Sequence, residues 1–296
     1  EMSASLVGSE MCIRDSTETG EEVGEINSGD VIISVHERQR RVRMKKEREE
    51  HEINRYRGKG ERYIFVNTTF DFSDLSPSTV TKLIYLSTYA AYDNLLILNA
   101  KSKKEIKRSD LPKILGVSKR TSERFWNSVK AYYIREDEET GKLWLNDEIF
   151  KRGKLKSKTA IDYQQFYFNG VRSLYKSANG KNHNYLGYLF QLIPFINREW
   201  NVVCENPFEA DLDNVQLVTM KDFCDYIGYK DTSSISKLKK IYDGLEFDVN
   251  GKKQRFCALT YTGLDSGTAR ICINPEVFYV GSNKGRVDVL LSLIHI

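Results

Sequence analysis

The clearest alternation of apolar and polar positions in this chain lies between residues 109 and 134. Four positions there recur at intervals of three and four, the period of a helix with one buried face: Ser122, Phe125, Trp126 and Val129. Ser118 stands where a helix N-cap belongs, and Gly116 supplies the left-handed residue that ends a shorter preceding helix. That shorter helix is predicted to have Ser109 as its cap and Pro112 in its first turn. The segment therefore predicts a helix, a tight turn and a second helix.

The outer face of the second helix carries side chains of the types that reach phosphates and base edges in protein–DNA complexes. These candidate DNA-binding residues are Ser118, Lys119, Arg120, Thr121, Glu123, Arg124 and Asn127. Periodicity alone fits two interpretations equally well. One is a helix that enters a DNA major groove, and the other is an ordinary helical hairpin with a solvated basic face.

Patterns on both sides of this segment predict a further helix and a β-hairpin. The predicted elements are a strand at Tyr63–Asn67, a helix from Ser76 and Pro77 to about Tyr92, a strand at Leu95–Leu98, and hairpin strands at Tyr132–Ile134 and Leu143–Leu145. The acidic run at residues 136–139 fits a solvated turn tip between the hairpin strands. A helix, a helix-turn-helix and a hairpin in this order predict a winged helix.

The second half of the chain repeats these anchors in the same order. Tyr63–Asn67 is matched by Phe166–Asn169, Leu83–Leu86 by Leu186–Leu189, Asp110–Gly116 by Asp222–Gly228, and Leu145–Phe150 by Ile273–Phe278. The second copy is predicted to have a longer hairpin, from Phe247 to Ile273. We therefore predict an α+β, mainly helical fold with two tandem winged-helix domains, at residues 63–158 and 163–285, preceded by a charged N-terminal arm at residues 17–62.

Charge distinguishes the two copies. Residues 101–130 contain ten basic and three acidic residues, whereas residues 219–243 contain five and four. Double-stranded DNA, a polyanion, would therefore prefer the first copy. Further DNA contacts are predicted in the first hairpin and in the basic tail that follows it: Lys142, Lys151, Arg152 and Lys154. For the tail the alternative is a solvated linker. The second copy is equally suited to DNA contact and to a packing or homodimer surface.

Both ends of the chain resemble translated sequencing adapters. Residues 6–16 (LVGSEMCIRDS) match the transposase mosaic-end DNA and its upstream primer, and residues 291–296 (LSLIHI) match the reverse complement. We therefore expect residues 1–16 and 291–296 to be adapter-derived, and they take no part in the fold prediction.

The sequence has none of the common signatures of catalytic, nucleotide or metal sites. There is no Gly-x-x-x-x-Gly-Lys-Ser/Thr loop, no His-Glu-x-x-His motif and no Cys-x-x-Cys pair. We expect no cofactor, no metal and no enzymatic activity; a DNA-nicking enzyme would need a metal site that the sequence does not show. Four cysteines are expected to be buried free thiols in a cytoplasmic protein: Cys204, Cys224, Cys257 and Cys272. No apolar run approaches the ~20 residues of a membrane-spanning helix, so no membrane partner is expected.

The run at residues 110–129 (DLPKILGVSKRTSERFWNSV), followed by a hairpin and then LNDEIFKRGK, resembles winged-helix replication proteins of bacterial plasmids and phages, including the RepL type. An Asn-x-x-x-Phe-x-x-Gly-like signature of that family is matched in both copies, by Asn146, Phe150 and Gly153 and by Asn274, Phe278 and Gly281. At the position after the asparagine, the family often has proline. This chain has Asp147 there in the first copy, which departs from the family, and Pro275 in the second copy, which agrees with it. The resemblance covers residues 63–158 well and residues 163–285 in outline.

Membership of that family would imply binding at a replication origin and recruitment of host replication proteins. It would also imply a base-reading role for four residues: Lys119, Arg120, Thr121 and Arg124. Because transcription regulators use the same helix-turn-helix, a winged-helix transcription regulator is the alternative.

Overall fold

The computed structural model describes the strands at residues 13–16 and 22–26, and then residues 62–99, 102–153, 155, 162–180, 182–229, 232–249, 251–260, 270–279 and 284–295. Its contacts divide the chain into residues 1–53 and residues 54–296. In the first unit, β1 (Ile13–Ser16) pairs antiparallel with β2 (Glu22–Ile26). Apart from β2 and Arg62, the predicted arm at residues 17–62 lies outside the described residues.

Residues 54–296 combine helices with small antiparallel sheets, which confirms the predicted α+β class. The helices are α1 (Pro77–Ser87), α2 (Leu111–Leu115), α3 (Lys119–Val129), α4 (Phe168–Ser177), α5 (His183–Gln191), α6 (Met220–Tyr226), α7 (Thr232–Asp243) and α8 (Lys284–His295). The strands are β3 (Tyr63–Asn67), β4 (Ile134–Glu136), β5 (Leu143–Leu145), β6 (Phe150–Lys151), β7 (Tyr163–Tyr167), β8 (Glu246–Val249), β9 (Lys252–Arg255), β10 (Cys257–Thr260), β11 (Arg270–Ile273) and β12 (Phe278–Tyr279). Within the described ranges, every helix falls short of the apolar length that a bilayer crossing requires.

The central sheet is built from both halves of the chain, in the order β12–β7–β3–β6. In its middle, β3 pairs antiparallel with β7, and Phe65 lies opposite Gln165. The register is symmetric about this pair, because Tyr63 faces Tyr167 at one end and Asn67 faces Tyr163 at the other. Each half adds its own last strand on the outside, β6 beside β3 and β12 beside β7. The two predicted domains therefore share one sheet.

The predicted match between the first strands of the two halves was wrong by two residues. The counterpart of β3 is β7, which ends at Tyr167, whereas the predicted match ran on to Asn169. Phe168 and Asn169 instead begin α4. The error arose because the motif Phe-Tyr-Phe-Asn crosses the boundary between a strand and a helix.

The core lies where α1 packs on α5. Ser76 caps α1 by accepting a hydrogen bond from the Thr79 N–H at 3.3 Å, and Pro77 occupies its first turn, as predicted. The helix ends at Ser87, before the predicted Tyr92, and residues 79–87 are all buried. This stretch has no solvent-facing side because both halves of the chain pack around the helix. Gly187 of α5 allows the close approach, since a Cβ there would lie 1.8 Å from Pro77 O.

The first helix-turn-helix is formed by α2 and α3. Gly116 adopts the left-handed conformation (φ 61°, ψ 36°), and Ser118 caps α3 by accepting from the Thr121 N–H at 3.3 Å. The four predicted inward-facing residues, Ser122, Phe125, Trp126 and Val129, are buried. The predicted Ser109 cap was wrong, because Arg108–Asp110 form a 3₁₀ turn in which the Asp110 carboxylate accepts from the Lys107 N–H at 3.0 Å.

A hairpin follows α3 as predicted, and its second strand, β5, has the predicted bounds. Its first strand was predicted two residues too early, at Tyr132–Ile134, because Tyr132 and Tyr133 still belong to the turn that ends α3. β4 pairs with β5, Ile134 facing Leu145 and Glu136 facing Leu143, around an acidic turn. The predicted strand at residues 95–98 is reduced to single bridges, and one of them joins Leu95 to Trp144 on the far side of β5.

The second half has the same series of elements, with α4 added between β7 and α5 and a further insertion after α7. α6 and α7 follow α5, and Val202 bridges to Cys272 as Leu95 bridges to Trp144. The single long hairpin predicted from Phe247 to Ile273 is in fact two hairpins, β8 with β9 and β10 with β11. The β10–β11 pair occupies the position of the first hairpin, and β8–β9 is the insertion.

An asparagine follows β5 in the first half and β11 in the second half, and the two asparagines make equivalent hydrogen bonds. Asn146 Nδ2 donates to Tyr132 O at 3.0 Å, and its side-chain oxygen accepts from the Glu148 N–H at 2.9 Å. Asn274 Nδ2 donates to Arg255 O at 2.8 Å, and its side-chain oxygen accepts from the Glu276 N–H at 2.8 Å. In each half the side chain ties the end of the hairpin to the chain just before its first strand.

Candidate nucleic-acid interface

Helix α3 presents its polar face to solvent because the opposite face is anchored in the core. Phe125, Trp126 and Val129 are buried, whereas six of the seven predicted DNA-binding residues of this segment are exposed: Ser118, Lys119, Arg120, Glu123, Arg124 and Asn127. Thr121 is half-buried, and its hydroxyl lies 3.0 Å from Ser118 Oγ. Ser118 and Thr121 are thus occupied by capping, and the remaining residues make up the free surface of the helix.

Three of these residues form a row along α3, and Lys119 lies next to Arg120 at its start. Arg120, Arg124 and Asn127 are spaced at i, i+4 and i+7, which places them one above another on a helix. In the part of the chain that the structure describes, no carboxylate lies within ion-pair distance of Lys119, Arg120 or Arg124. Their guanidinium and ammonium groups are therefore available to an anionic partner. We call Lys119, Arg120, Arg124 and Asn127 the α3 stripe.

The exposed side chain of Glu123 is not free, because it forms an ion pair. Its carboxylate is paired with Arg108, whose guanidinium also lies 5.6 Å from the centre of the Trp126 ring. Arg108 belongs to the turn before α2, so this contact joins the start of the helix-turn-helix to α3. The pairing offsets the negative charge of Glu123 beside the α3 stripe. Sequence patterns gave no signal for it, because the partners are fifteen residues apart with a turn between them.

The hairpin carries less available positive charge than predicted. Lys142 Nζ lies 2.7 Å from Glu105 Oε1, and this contact raises the pKa of Lys142. At the tip, Glu138 and Glu139 are exposed. Asp137 accepts hydrogen bonds from the Thr140 hydroxyl at 2.7 Å and the Thr140 N–H at 2.8 Å, which lower its pKa and keep it ionised. This acidic tip would repel phosphates.

Of the predicted basic tail, the structure describes only residues 151–153 and 155. Arg152, predicted as a DNA contact, instead lies among three aromatic rings, with its guanidinium 5.8, 4.9 and 5.1 Å from the ring centres of Tyr63, Tyr92 and Phe168. It donates a hydrogen bond to Tyr63 O, and burial lowers its pKa. Because Phe168 belongs to the second half, Arg152 joins the halves. Lys151 is half-buried on β6, and Lys154 lies outside the described residues.

The second half presents a weaker counterpart of the α3 stripe. Lys237 and Lys240 are exposed on α7, and the inserted hairpin adds exposed Lys252, Lys253 and Arg255 on β9. Exposed Glu246 and Asp248 on β8 lie opposite Arg255 and Lys253 in this hairpin. Positive charge here is therefore interspersed with negative charge, unlike the α3 stripe.

In the described part of the chain, no group of three side chains that could hold a metal ion comes together. The four cysteines are free and buried, as predicted. Burial raises the pKa of Cys204 to about 11 and that of Cys272 to about 12, so both thiols are protonated at neutral pH.

Comparison with protein-family models, with curated proteins and with solved structures finds no match to this chain.

Proposed function

We propose that this chain is a sequence-specific double-stranded DNA-binding protein made of two winged-helix domains, with α3 entering the major groove. The observation that carries the proposal is the α3 stripe, three unpaired cations and an amide on the exposed face of a helix whose other face is anchored. Arginine reads guanine by a bidentate contact in the major groove, and asparagine reads adenine in the same way.

The order of elements supports the winged-helix assignment of both halves. In the first half, α1 is followed by the Leu95 bridge strand, then by α2, α3 and the β4–β5 hairpin. The second half follows with α5, the Val202 bridge strand, α6, α7 and the β10–β11 hairpin. In helix-turn-helix proteins the second helix of the pair lies in the groove, and that position is held by α3 in the first half.

Electrostatics supports the first half as the half that binds DNA. Unpaired cations gain affinity by releasing counterions from the duplex, whereas paired cations such as Lys142 and acidic surfaces do not. The α3 stripe has its cations unpaired and its nearest acidic neighbour, Glu123, neutralised by Arg108. Because the acidic tip of the hairpin would repel phosphates, α3 is left as the principal contact with DNA.

We place this binding in the initiation of plasmid or phage DNA replication. The support is the resemblance of the helix-turn-helix, the hairpin and the asparagine signature to replication proteins of plasmids and phages. Asn146 and Asn274 have equivalent hydrogen bonds in the two halves, which fits a signature maintained for structural reasons. A winged-helix transcription regulator would bind DNA through the same surface and differ in the location of its sites.

The test is a random-site DNA selection with residues 17–290, followed by filter binding of variants to the selected site. Arg120→Ala and Arg124→Ala should each weaken specific binding by about 1–3 kcal/mol. Arg255→Ala, an exposed arginine on β9, is the matched control and should bind like the unaltered protein. Equal losses in all three variants would remove α3 as the reading helix.

Selected sites clustered as repeats near the gene's own origin would support replication, and promoter-proximal sites would support the regulator.

A further inference from the structure

A pocket of about 640 Å³ lies between the two halves, at the N-terminal end of α3. Its walls come from α1, from the turn between α2 and α3, and from the connection between α4 and α5. The volume falls in the range of pockets that hold small molecules. None of the described residues lining it is acidic, while Lys82 and Lys176 both line it.

Lys82 is the feature that suggests a ligand. Only 6% of this residue is exposed. Its Nζ donates to Ser78 O at 3.1 Å and to Ser78 Oγ, and among the described residues no carboxylate is within ion-pair distance. An ammonium group has three N–H donors, so one is left for a further partner. Burial lowers the pKa of Lys82, as expected for a charge without a counterion.

One wall of the pocket is aromatic, and a hydrogen bond ties it to α2. Tyr175 stacks on Tyr85 with ring centres 3.8 Å apart, and His183 stacks on Tyr175 at 4.2 Å. The Tyr175 hydroxyl donates to Leu115 O at 2.8 Å, which fixes the second half against the end of α2. The pocket thus combines a buried cation with walls already held in place.

We propose that this pocket binds a small anion through Lys82 and Lys176, with the body of the ligand against the wall formed by Tyr85 and Tyr175. A phosphate or a carboxylate would supply the acceptor oxygens that the buried ammonium lacks. Thr121 of α3 also lines the pocket, so the ligand lies near the positive end of the α3 dipole. The site goes beyond DNA binding and does not depend on it.

The test uses the full chain without DNA. Thermal unfolding is followed in sodium phosphate and in sodium benzoate at millimolar concentrations, with sodium chloride holding the ionic strength constant. We expect at least one of the two anions to raise the Tm in a saturable manner. Phosphate alone would indicate a phosphorylated ligand, and benzoate alone an aromatic carboxylate.

Lys82→Met should abolish the saturable rise, and Lys176→Met should weaken apparent affinity several-fold. Lys82→Met removes an uncompensated buried charge and keeps a flexible apolar stem, so it should fold, as circular dichroism will show. Lys221→Met, at an exposed lysine on α6, is the matched control and should respond like the unaltered protein. General stabilisation by the salts would appear equally in all variants. The proposal is overturned if neither anion gives a saturable rise, or if Lys82→Met retains it.

Discussion

Asn94 and Asn201 occupy equivalent places in the two halves and share two contacts, one through Nδ2 and one through the backbone carbonyl. Both have left-handed backbones, with φ of 63° and 52°. Asn94 Nδ2 donates to Phe150 O at 2.8 Å, and Asn201 Nδ2 donates to Phe278 O at 3.0 Å. Each backbone carbonyl also accepts from the end of the neighbouring hairpin, from the Leu145 N–H at 3.0 Å and the Ile273 N–H at 2.8 Å. These asparagines fasten each hairpin to the outer strand of the shared sheet.

Replacing either asparagine by alanine should destabilise the protein by about 2–4 kcal/mol, because a buried carbonyl loses its donor and a left-handed alanine is strained. Urea unfolding of Asn94→Ala and Asn201→Ala would measure the loss. Asn94→Gly keeps the backbone conformation and should recover part of it. Asn127→Ala, at an exposed position, should change stability by less than about 0.5 kcal/mol. Losses of less than about 0.5 kcal/mol for Asn94→Ala and Asn201→Ala would contradict the stabilising role given to these two asparagines.

Gly187→Ala should lower the free energy of unfolding by about 3 kcal/mol or more, because its methyl group would overlap Pro77 O of α1. Backbone cannot move aside as a side chain can, so the whole α1–α5 contact must shift. Denaturant titration is the measurement. Gly180→Ala is the control, since nothing lies within 4 Å of a Cβ there. Equal stabilities for the two variants would mean that the helices are not in close contact.

Lys142→Ala should leave the salt dependence of DNA binding unchanged, because Lys142 is paired with Glu105 beside an acidic turn. Arg124→Ala, by contrast, should reduce the slope of log K against log salt by about 0.9, the effect of one phosphate contact. Filter binding over a range of salt concentrations compares the two. A reduced slope for Lys142→Ala would show that the hairpin approaches the duplex after all.

Alkaline pH should destabilise the protein through its buried thiols. The pKa of Cys272 is raised to about 12, so this thiol keeps its proton in the folded state while the unfolded chain loses it near pH 9. The contribution of the protonated thiol to the free energy of unfolding is complete below pH 9 and is lost as the pH rises toward 12. Cys272→Ala should therefore make the fall in unfolding free energy shallower, by up to about 1.4 kcal/mol per pH unit. Identical slopes would indicate that Cys272 ionises normally in the folded state.

Local rules were enough to predict the helix-turn-helix. The Ser118 cap, the left-handed Gly116 and the buried Phe125 and Trp126 follow from residues a few positions apart, whose interactions are decided within one or two turns of chain. The presence of the first hairpin and the bounds of its second strand follow for the same reason. The exposed α3 stripe could be predicted because the buried face of an amphipathic helix determines which side chains point outward.

The environment of each charged side chain could not be predicted in this way. The sequence predicted exposed, DNA-binding side chains at Arg152, Lys142 and Glu123. In the structure, each of them has a specific partner elsewhere in the fold. An ion pair or a ring contact depends on which distant segments meet, and one sequence does not contain that information.

The sequence by itself determined the helix-turn-helix of the first half, the presence of its hairpin, the internal repetition of the chain and the charge difference between the halves, because these depend on local periodicity and composition. Only the tertiary structure decided that β3 pairs with β7, so that the two halves share a sheet and enclose Lys82 between them. Strand pairing over about one hundred residues is selected by the packing of the whole core. For that reason no local pattern could have shown it.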